Sequence, residues 1–326
     1  MSRVVAFGPG RVNLIGEHTD YNGGLSLPFA IEDGVRVSAE LEGGDEVVTS
    51  AEGASAYLRG AVAELRAAGV AVPGARITID GDLPQGSGLS SSAALEVALC
   101  LALVRISDED ELDRLELARL CSRVENEWVG AHTGLLDQIA SLFGTADHAL
   151  RIDFRTLDVR EVPLRLGGWT LATVDSGEQH SNAEGGYNER RRECSEAAAQ
   201  LGVETLSDAS RDAAARLPDP LDRRALHVLD ENERVDAAVA ALAAGDLPAL
   251  GRLLDAGHAS LRDLYDASTD AVEETVRRLK SAGAAGARMM GGGFGGHVLA
   301  LFEPGAELSE DARVVTPGPG GHIVDG

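Results

Sequence analysis

Hydrophobic and polar positions in the first half of the chain follow two different periods. Short apolar or alternating runs predict strands at residues 3–7, 34–41, 46–49, 75–80, 149–154 and 169–174. Apolar residues at helical spacing predict helices at residues 54–68, 90–104, 108–126 and 134–143. Ser107 is a candidate N-cap for the helix that starts at residue 108.

The second half of the chain is dominated by helical periodicity and returns to strands only near its end. Helices are predicted at residues 187–201, 222–243, 247–265 and 269–282, and strands at 287–290, 297–302 and 313–315. Helices are therefore segregated from strands, which indicates an α+β class. Residues 210–222, with Pro218 and Pro220, are the best candidate for a flexible connector.

Length and composition remove several classes of protein. The 326 residues suffice for roughly two domains, and the formal net charge of −24 argues against nucleic acid and membrane surfaces as partners. There is no apolar run of membrane-spanning length and no basic-then-apolar leader, so we expect a soluble, cytoplasmic protein. The cysteines at 100, 121 and 194 have no metal-ligand spacing and are expected to be reduced and buried.

A glycine- and serine-rich loop with the sequence PQGSGLSSSAA occupies residues 84–94, between a predicted strand and a predicted helix. A helix N-terminus presents unpaired N–H groups, so this loop is a candidate phosphate site in which Gly86 and Gly88 let the backbone approach a ligand. A turn capped by a serine is an equally good interpretation. The loop is not a Walker A motif, because the one lysine in the chain is Lys280.

Two further loops carry unusual composition. The sequence GGGFGG at 291–296 matches GxGxxG, but it precedes a strand and has only thirty residues after it, which argues against a dinucleotide site and predicts a close approach to another part of the chain. The first loop places donors and acceptors within eleven positions, a density that suits a polyhydroxylated ligand or a solvated loop; these are Arg11, Glu17, His18, Asp20 and Tyr21. A metal site in this loop is the weaker interpretation.

Two carboxylates, Glu125 and Asp137, lie near the end of one predicted helix and inside the next. As a pair they are suited to divide metal binding and base catalysis. Taken singly, each would ordinarily lie on the surface.

Together these loops resemble those of the galactokinases, a family of the GHMP small-molecule kinases. Residues 10–24, GRVNLIGEHTDYNGG, resemble the sugar signature, residues 84–94 the superfamily phosphate loop, and residues 289–296 the third glycine motif. The segments YNERRREC at 187–194 and ENER at 231–234 are similar to galactokinase segments in the expected order. The resemblance implies a two-domain GHMP kinase fold, divided at residues 1–175 and 176–326, with the active site at the domain junction.

The resemblance also implies roles for individual residues. Arg11 and Asp137 match catalytic positions, and Ser92 and Glu125 match magnesium ligands. Sugar-contacting positions are matched by Glu17, His18, Asp20, Gly134 and Tyr187. The nucleotide-phosphate loop is matched by Gly86, Ser87, Gly88, Leu89, Ser90, Ser91 and Ser92.

The implied reaction transfers a phosphoryl group from ATP, with Mg²⁺, to the anomeric C1 hydroxyl of galactose, which gives galactose 1-phosphate and ADP. Such transfer depends on positioning and charge neutralisation, so a helix N-terminus, a metal ion and an arginine are suitable parts. Asp137, held ionised by Arg11, would orient or deprotonate the C1 hydroxyl.

The exact activity, nucleotide binding and the state of assembly stay open at the level of sequence. For the activity, one alternative is a kinase for a related sugar, namely N-acetylgalactosamine, galacturonate or arabinose, and another is a galactose sensor without catalysis. Ala54 stands where the family often has a tryptophan near the adenine, which bears on nucleotide binding. The expected assembly is a monomer or a weak homodimer.

Overall fold

Groups of strands and groups of helices follow one another along the chain, in an order close to the one expected from the sequence. The computed structural model describes residues 2–81, 83, 88–109, 112–131, 133–178 and 183–325. Its strands are β1 (Arg3–Asn13), β2 (Leu25–Ser26), β3 (Pro28–Leu41), β4 (Val47–Thr49), β5 (Ala75–Gly81), β6 (His148–Asp153), β7 (Asp158–Pro163), β8 (Thr170–Asp175), β9 (Ala284–Met289), β10 (His297–Phe302), β11 (Arg313–Val314) and β12 (His322–Asp325). Its α-helices are α1 (Ser55–Ala67), α2 (Ser91–Ile106), α3 (Arg114–Arg123), α4 (Leu136–Phe143), α5 (Ala183–Leu201), α6 (Arg211–Ala214), α7 (Leu221–Ala244), α8 (Leu247–Asp263) and α9 (Asp270–Ser281).

A five-stranded sheet in the order β12-β1-β3-β5-β4 forms the base of the first half. The long strands β1 and β3 are antiparallel, with Val4 opposite Ala39 and Ala6 opposite Val37, whereas β4 runs parallel to β5. Helix α2 lies across β1 and β3 and is covered on its other side by α1, α3 and α4. This position explains why α2 is apolar on nearly all sides.

A second sheet, in the order β11-β8-β10-β9, joins the two hydrophobic cores. Leu299 and Leu301 of β10 pack into the core beneath the five-stranded sheet, while Val298, Ala300 and Phe302 pack into the core formed with α5, α7 and α9. Because side chains alternate along a strand, β10 is buried on both faces. A third, three-stranded sheet has the order β2-β6-β7.

The predicted α+β class is confirmed, but one predicted helix is wrong at its start. The helix expected from residue 108 begins instead at Arg114, and Asp113 is its N-cap, since the Asp113 carboxylate accepts hydrogen bonds from the N–H groups of Leu115 and Glu116. Ser107, the expected cap, terminates α2. The last turn of the expected helix is a π-helix over Val124–Val129.

Other differences concern three short strands and the expected connector. Strands β2, β7 and β12 are not predicted from the sequence. Strands β2 and β12 obtain their pairing from distant partners, β6 and β1, whereas β7 pairs with β6 across a short turn. The expected connector at 210–222 contains α6, which packs against α7. The division at residues 175 and 176 stays a prediction. Among the helices that the structure describes, none combines the length and apolarity needed to cross a membrane.

Candidate active site

A bidentate ion pair between Arg11 and Asp137 lies at the centre of the candidate site. Arg11, on β1, donates from Nε to Asp137 Oδ1 at 2.7 Å and from Nη2 to Oδ2 at 2.8 Å, while its Nη1 donates to the Gly88 carbonyl at 2.6 Å. Burial lowers the pKa of Arg11, but the charges of Asp137, Glu17 and Glu125 and the hydrogen bonds to Asp137 together more than offset this, so the pKa is raised. The guanidinium therefore stays charged and fixes the orientation of the carboxylate in the first turn of α4.

Ser90 precedes α2 and points its hydroxyl at the same carboxylate. Its backbone is left-handed, with φ of 57°, and its Oγ donates to Asp137 Oδ2. The interpretation of this position as a helix-capping serine is wrong, because the Ser90 side chain accepts no hydrogen bond from an N–H of α2. The first N–H groups of α2 therefore remain free of that cap, as an anion site requires.

In the first turn of α2, Ser92 contacts the second carboxylate of the pair, Glu125. Its Oγ donates to Glu125 Oε1 at 2.8 Å, and Glu125 Oε2 accepts from Thr133 Oγ1 at 2.5 Å and from Gln138 Nε2 at 2.8 Å. Burial raises the pKa of Glu125, although these hydrogen bonds oppose the change. A hydroxyl and a carboxylate side by side are hard oxygen donors of the kind that Mg²⁺ takes.

The described residues contain no cluster of three or more His, Cys, Asp or Glu side chains able to hold a metal ion alone. An ion between Ser92 and Glu125 would therefore need further oxygen ligands from a bound molecule or from water, which is the usual situation of Mg²⁺ beside phosphates.

A cavity of about 260 Å³ opens beside Asp137, and every predicted sugar-contacting residue lines it. Its size suits a small polar ligand. The predicted residues on its wall are Arg11, Glu17, His18, Asp20, Gly134, Asp137 and Tyr187, and Gly291, Gly292 and Gly293 of the third glycine motif also line it.

Glu17 is anchored from two directions at the inner wall. Its Oε1 accepts from the Gly291 N–H at 2.8 Å and lies 3.3 Å from Nη2 of the fully buried Arg288. Burial raises the pKa of Glu17, and the neighbouring Arg288 and Arg11 oppose this rise. Because the side chain is held in place, its free oxygen surface can be directed at a ligand hydroxyl.

His18 and Asp20 lie on the same loop but in different electrostatic surroundings. Burial lowers the pKa of His18 to about 3, so the ring is neutral at physiological pH. Burial, followed by the charge of Asp137, raises the pKa of Asp20 to about 6. A Cβ on Gly134 would overlap the Asp20 carboxylate, which explains why glycine is needed beside it.

Tyr187 and the third glycine motif are fitted to each other. A Cβ on Gly292 would lie 2.9 Å from Cδ2 of Tyr187, and the same ring lies 5.4 Å, between centroids, from the ring of His18. The expected close approach of this loop to another part of the chain is thus confirmed.

The phosphate-loop prediction is only partly covered by the structure. Gly86 and Ser87 lie outside the described residues. The carbonyls of Gly88 and Leu89 accept hydrogen bonds from Nη1 and the backbone N–H of Arg11, respectively, and Ser91 begins α2.

Sequence reasoning missed three supporting side chains. Thr133 and Gln138 hold Glu125, and Arg288 joins Glu17 to the carbonyls of Asn13 and Leu14, at 3.1 and 3.0 Å. A usable signal existed for Arg288, which is an arginine in an otherwise small and apolar strand directly before the glycine motif.

Comparisons with known proteins agree with this geometry. The family model described as the galactokinase galactose-binding signature matches residues 1–41, and those for the N-terminal and C-terminal domains of GHMP kinases match residues 56–145 and 238–316. A galactokinase of Thermotoga petrophila is 41% identical over 314 residues, covering 91% of this chain and 89% of the relative. The chain belongs to the galactokinase family.

Further relatives support the family assignment along almost the whole chain. A galactokinase of Mycobacterium tuberculosis is 44% identical over 322 residues, covering 91% of this chain and 88% of the relative. The crystal structure of Lactococcus lactis galactokinase complexed with galactose superposes with a TM-score of 0.90 at 31% identity, covering 98% of this chain and 95% of that one. The predicted GHMP kinase fold and the expected family are confirmed.

Proposed function

We propose that the protein transfers the γ-phosphoryl group of ATP to the C1 hydroxyl of galactose, giving galactose 1-phosphate and ADP. The observation that carries the proposal is the position of the Asp137 carboxylate, fixed by Arg11 and Ser90 between the start of α2 and the cavity lined by the sugar signature. A phosphate held at the helix N-terminus and a hydroxyl held in the cavity would both be beside this carboxylate.

Asp137 takes the role of general base. The proton of the C1 hydroxyl passes to its carboxylate, the sugar oxygen forms a bond to the γ-phosphorus, and the bond from that phosphorus to the bridging oxygen of ADP breaks. Arg11 supports this step because its two hydrogen bonds align the carboxylate, and because its charge favours negative charge near the transferred group.

The start of α2 takes the triphosphate. Free N–H groups and the positive end of the helix dipole favour an anion there, which substitutes for the lysine that a Walker A loop would supply. The residues assigned to this role are Gly86, Ser87, Gly88, Leu89, Ser90, Ser91 and Ser92.

Mg²⁺ is assigned to Ser92 and Glu125, whose oxygens are adjacent and chemically suited to it. When bound, the ion neutralises charge on the phosphates. Thr133 and Gln138 keep the Glu125 carboxylate in a fixed orientation toward that position.

Recognition of the sugar is assigned to the cavity wall. Glu17 and Asp20 accept hydrogen bonds from hydroxyls, while His18 and Tyr187 add further polar contacts and ring surface, and Gly134 leaves space for Asp20. We further propose that the protein works in the cytoplasm, as a monomer or weak homodimer, with domains divided at residues 175 and 176.

The deciding experiment is a coupled assay of ADP release with Mg-ATP across galactose, N-acetylgalactosamine, galacturonate and arabinose. We expect the highest kcat/KM with galactose, and NMR of the product should place the phosphate on C1. Turnover of galacturonate but not of galactose would overturn the assignment of galactose as the substrate. Tight galactose binding without turnover of any sugar would identify a sensor and overturn the enzymatic role.

A further inference from the structure

A series of hydrogen bonds runs from the wall of the sugar cavity into the protein interior. Apart from His18, its members have no role in the function proposed above. His18 Nδ1 lies 2.8 Å from the Tyr21 hydroxyl, that hydroxyl lies 2.9 Å from the hydroxyl of Tyr265, and Tyr265 Oη lies 3.0 Å from Cys194 Sγ. The members come from the sugar-signature loop, the end of α8 and the middle of α5. Tyr265 and Cys194 are 0% and 1% exposed, so water does not compete for these contacts.

His18 lines the cavity, and its other ring nitrogen has no well-aligned partner among the described residues. Nε2 is buried and has no hydrogen bond of good geometry among the described residues, although the backbone of Gly292 is near enough to favour a proton on the ring. Buried polar atoms are rarely left unpaired. A ligand hydroxyl in the cavity would supply the missing partner.

Only two directions of donation use the protons of both tyrosines within the series, because each hydroxyl has one proton and a neutral imidazole has one N–H. In the first, Cys194 donates to Tyr265, Tyr265 to Tyr21, and Tyr21 to Nδ1 of His18. In the second, every donor and acceptor is exchanged. The first direction leaves the His18 proton on Nε2, and the second leaves it on Nδ1.

Donor and acceptor strengths favour the first direction. It gives the phenolic proton of Tyr21 to the imidazole lone pair, the best acceptor in the series. The second direction would use a phenol oxygen as acceptor for the imidazole. The thiol is a weak donor in the first direction and a weak acceptor in the second, so it decides less than the pairing of Tyr21 with His18. The side chain of Asn22 also contacts the Cys194 thiol and can donate to it, so sulfur can accept from Asn22 while it donates to Tyr265.

We propose that Tyr21 is a positioning residue, with Tyr265 and Cys194 donating behind it, that holds the proton of His18 on Nε2, so that the ring presents an N–H donor to one hydroxyl oxygen of the sugar. This proposal deepens the proposed function and rests on it for the identity of the ligand. A hydroxyl between this donor and the acceptors Glu17 or Asp20 would be held through both its oxygen and its proton. An analogue that keeps an acceptor at that carbon would then bind better than one that has only hydrogen there.

The first test reads the His18 tautomer directly, in the full-length protein without ligand. With ¹⁵N-labelled histidine, we expect the wild-type spectrum to show a protonated Nε2 and an unprotonated Nδ1, with the signals assigned by their loss in His18→Gln. In Tyr21→Phe, which lacks the donor to Nδ1, a mixture of tautomers should appear, whereas Tyr265→Phe leaves Nδ1 as the acceptor of the Tyr21 proton and should keep the wild-type tautomer. A proton on Nδ1 in the wild type, or an unchanged tautomer in Tyr21→Phe, would overturn the proposal.

The cysteine at the end of the series offers a matched set of variants. In Cys194→Ala, Tyr265 can donate within the series only to Tyr21, so the wild-type tautomer should be kept, and it should also be kept in Cys194→Ser. Cys121→Ala removes an equally buried thiol outside the series and should leave the His18 signals unchanged. A shift to the second tautomer in Cys194→Ala but not in Cys121→Ala would contradict the proposal.

The second test uses kinetics with singly deoxygenated and singly deoxyfluorinated galactoses. Tyr21→Phe should raise KM for galactose roughly tenfold, equivalent to about 1.4 kcal/mol, with kcat changed less than about twofold. At one carbon the fluoro analogue should outperform the deoxy analogue in the wild type, and this difference should disappear in Tyr21→Phe. A fall in kcat alone would contradict the proposal. If galactose is not the substrate, the tautomer test still stands, so the two failures can be told apart.

Discussion

The guanidinium of Arg11 and the carboxylate of Asp137 are joined by two parallel hydrogen bonds of 2.7 and 2.8 Å, although 126 residues separate them in the chain. Parallel bonds of this kind fix a plane as well as a distance, so the carboxylate has little freedom to turn away from the cavity. The same carboxylate also accepts from Ser90. Its orientation is therefore set by three donors before any ligand binds.

Replacement of this carboxylate by an amide tests its role as base. Asp137→Asn keeps the shape of the side chain but removes the proton acceptor, so kcat should fall by roughly 10²–10⁴ while galactose binding is largely kept. The measurement combines the ADP-release assay with equilibrium binding of galactose. Asp236→Asn is the matched control, because the Asp236 side chain is 59% exposed and pairs with Arg151 away from the cavity. Wild-type turnover in Asp137→Asn would remove Asp137 from catalysis.

The magnesium assignment makes a separate prediction at Ser92. Ser92→Ala removes one oxygen donor and one hydrogen bond to Glu125, so half-maximal activity should need more Mg²⁺, by at least the roughly tenfold typical for losing a group that supports a metal site. A magnesium titration at saturating ATP and sugar measures this change. Ser107→Ala, at the far end of α2, should behave as the wild type. Identical titrations for both variants would contradict the assignment.

Close approach between Gly134 and Asp20 predicts a steric effect on sugar binding. In Gly134→Ala the new methyl group would overlap the Asp20 carboxylate. Overpacking of this kind costs about 1–3 kcal/mol, which would raise KM for galactose roughly 5- to 150-fold if the cost falls on binding. Gly43→Ala is the control, since nothing lies within 4 Å of a Cβ there. KM values within twofold of each other for the two variants would show that Asp20 can move without loss.

The outcome for individual residues shows what sequence could and could not predict. Arg11 and Ser92 lie in loops of unusual local composition, whereas Asp137 and Glu125 lie in predicted helices, and the roles of all four were implied by the family resemblance. The structure brings them together in two pairs, Arg11 with Asp137 and Ser92 with Glu125. The interpretation of residues 84–94 as a turn capped by a serine fails at Ser90, because local pattern does not reveal a distant acceptor such as Asp137, 47 residues away.

Long-range partners explain the remaining differences as well. Strand β12 pairs with β1 from the opposite end of the chain, and its four residues carry no clear period of their own. Arg288 contacts Glu17 across 271 positions of sequence, so its place beside the site depends on how the sheets meet. Helix α3 starts late because the Asp113 carboxylate accepts from two backbone N–H groups, which makes it a stronger cap than Ser107.

The raised pKa of Asp20 predicts that this side chain lowers stability at neutral pH. Burial, and then the charge of Asp137, raise the pKa to about 6, whereas an aspartate in the unfolded chain titrates near 3.9. Between these values the folded protein binds more protons than the unfolded chain, so the contribution of Asp20 to the free energy of unfolding falls as pH rises from about 4 to about 6. Above pH 6 the buried charge imposes a constant cost.

Removal of the Asp20 charge should remove its cost to the free energy of unfolding, by an amount that depends on pH. Asp20→Asn should raise the free energy of unfolding at pH 7.5 by about 1–3 kcal/mol, and this gain should shrink to nothing near pH 4. Urea unfolding of the ligand-free protein at several pH values measures it, with Asp45→Asn, in an exposed loop, as the control that should show no such gain. KM for galactose should rise in Asp20→Asn, because the amide is a weaker acceptor than the carboxylate. A variant less stable than the wild type at pH 7.5 would mean that Asp20 has partners in the folded protein that favour its ionised form.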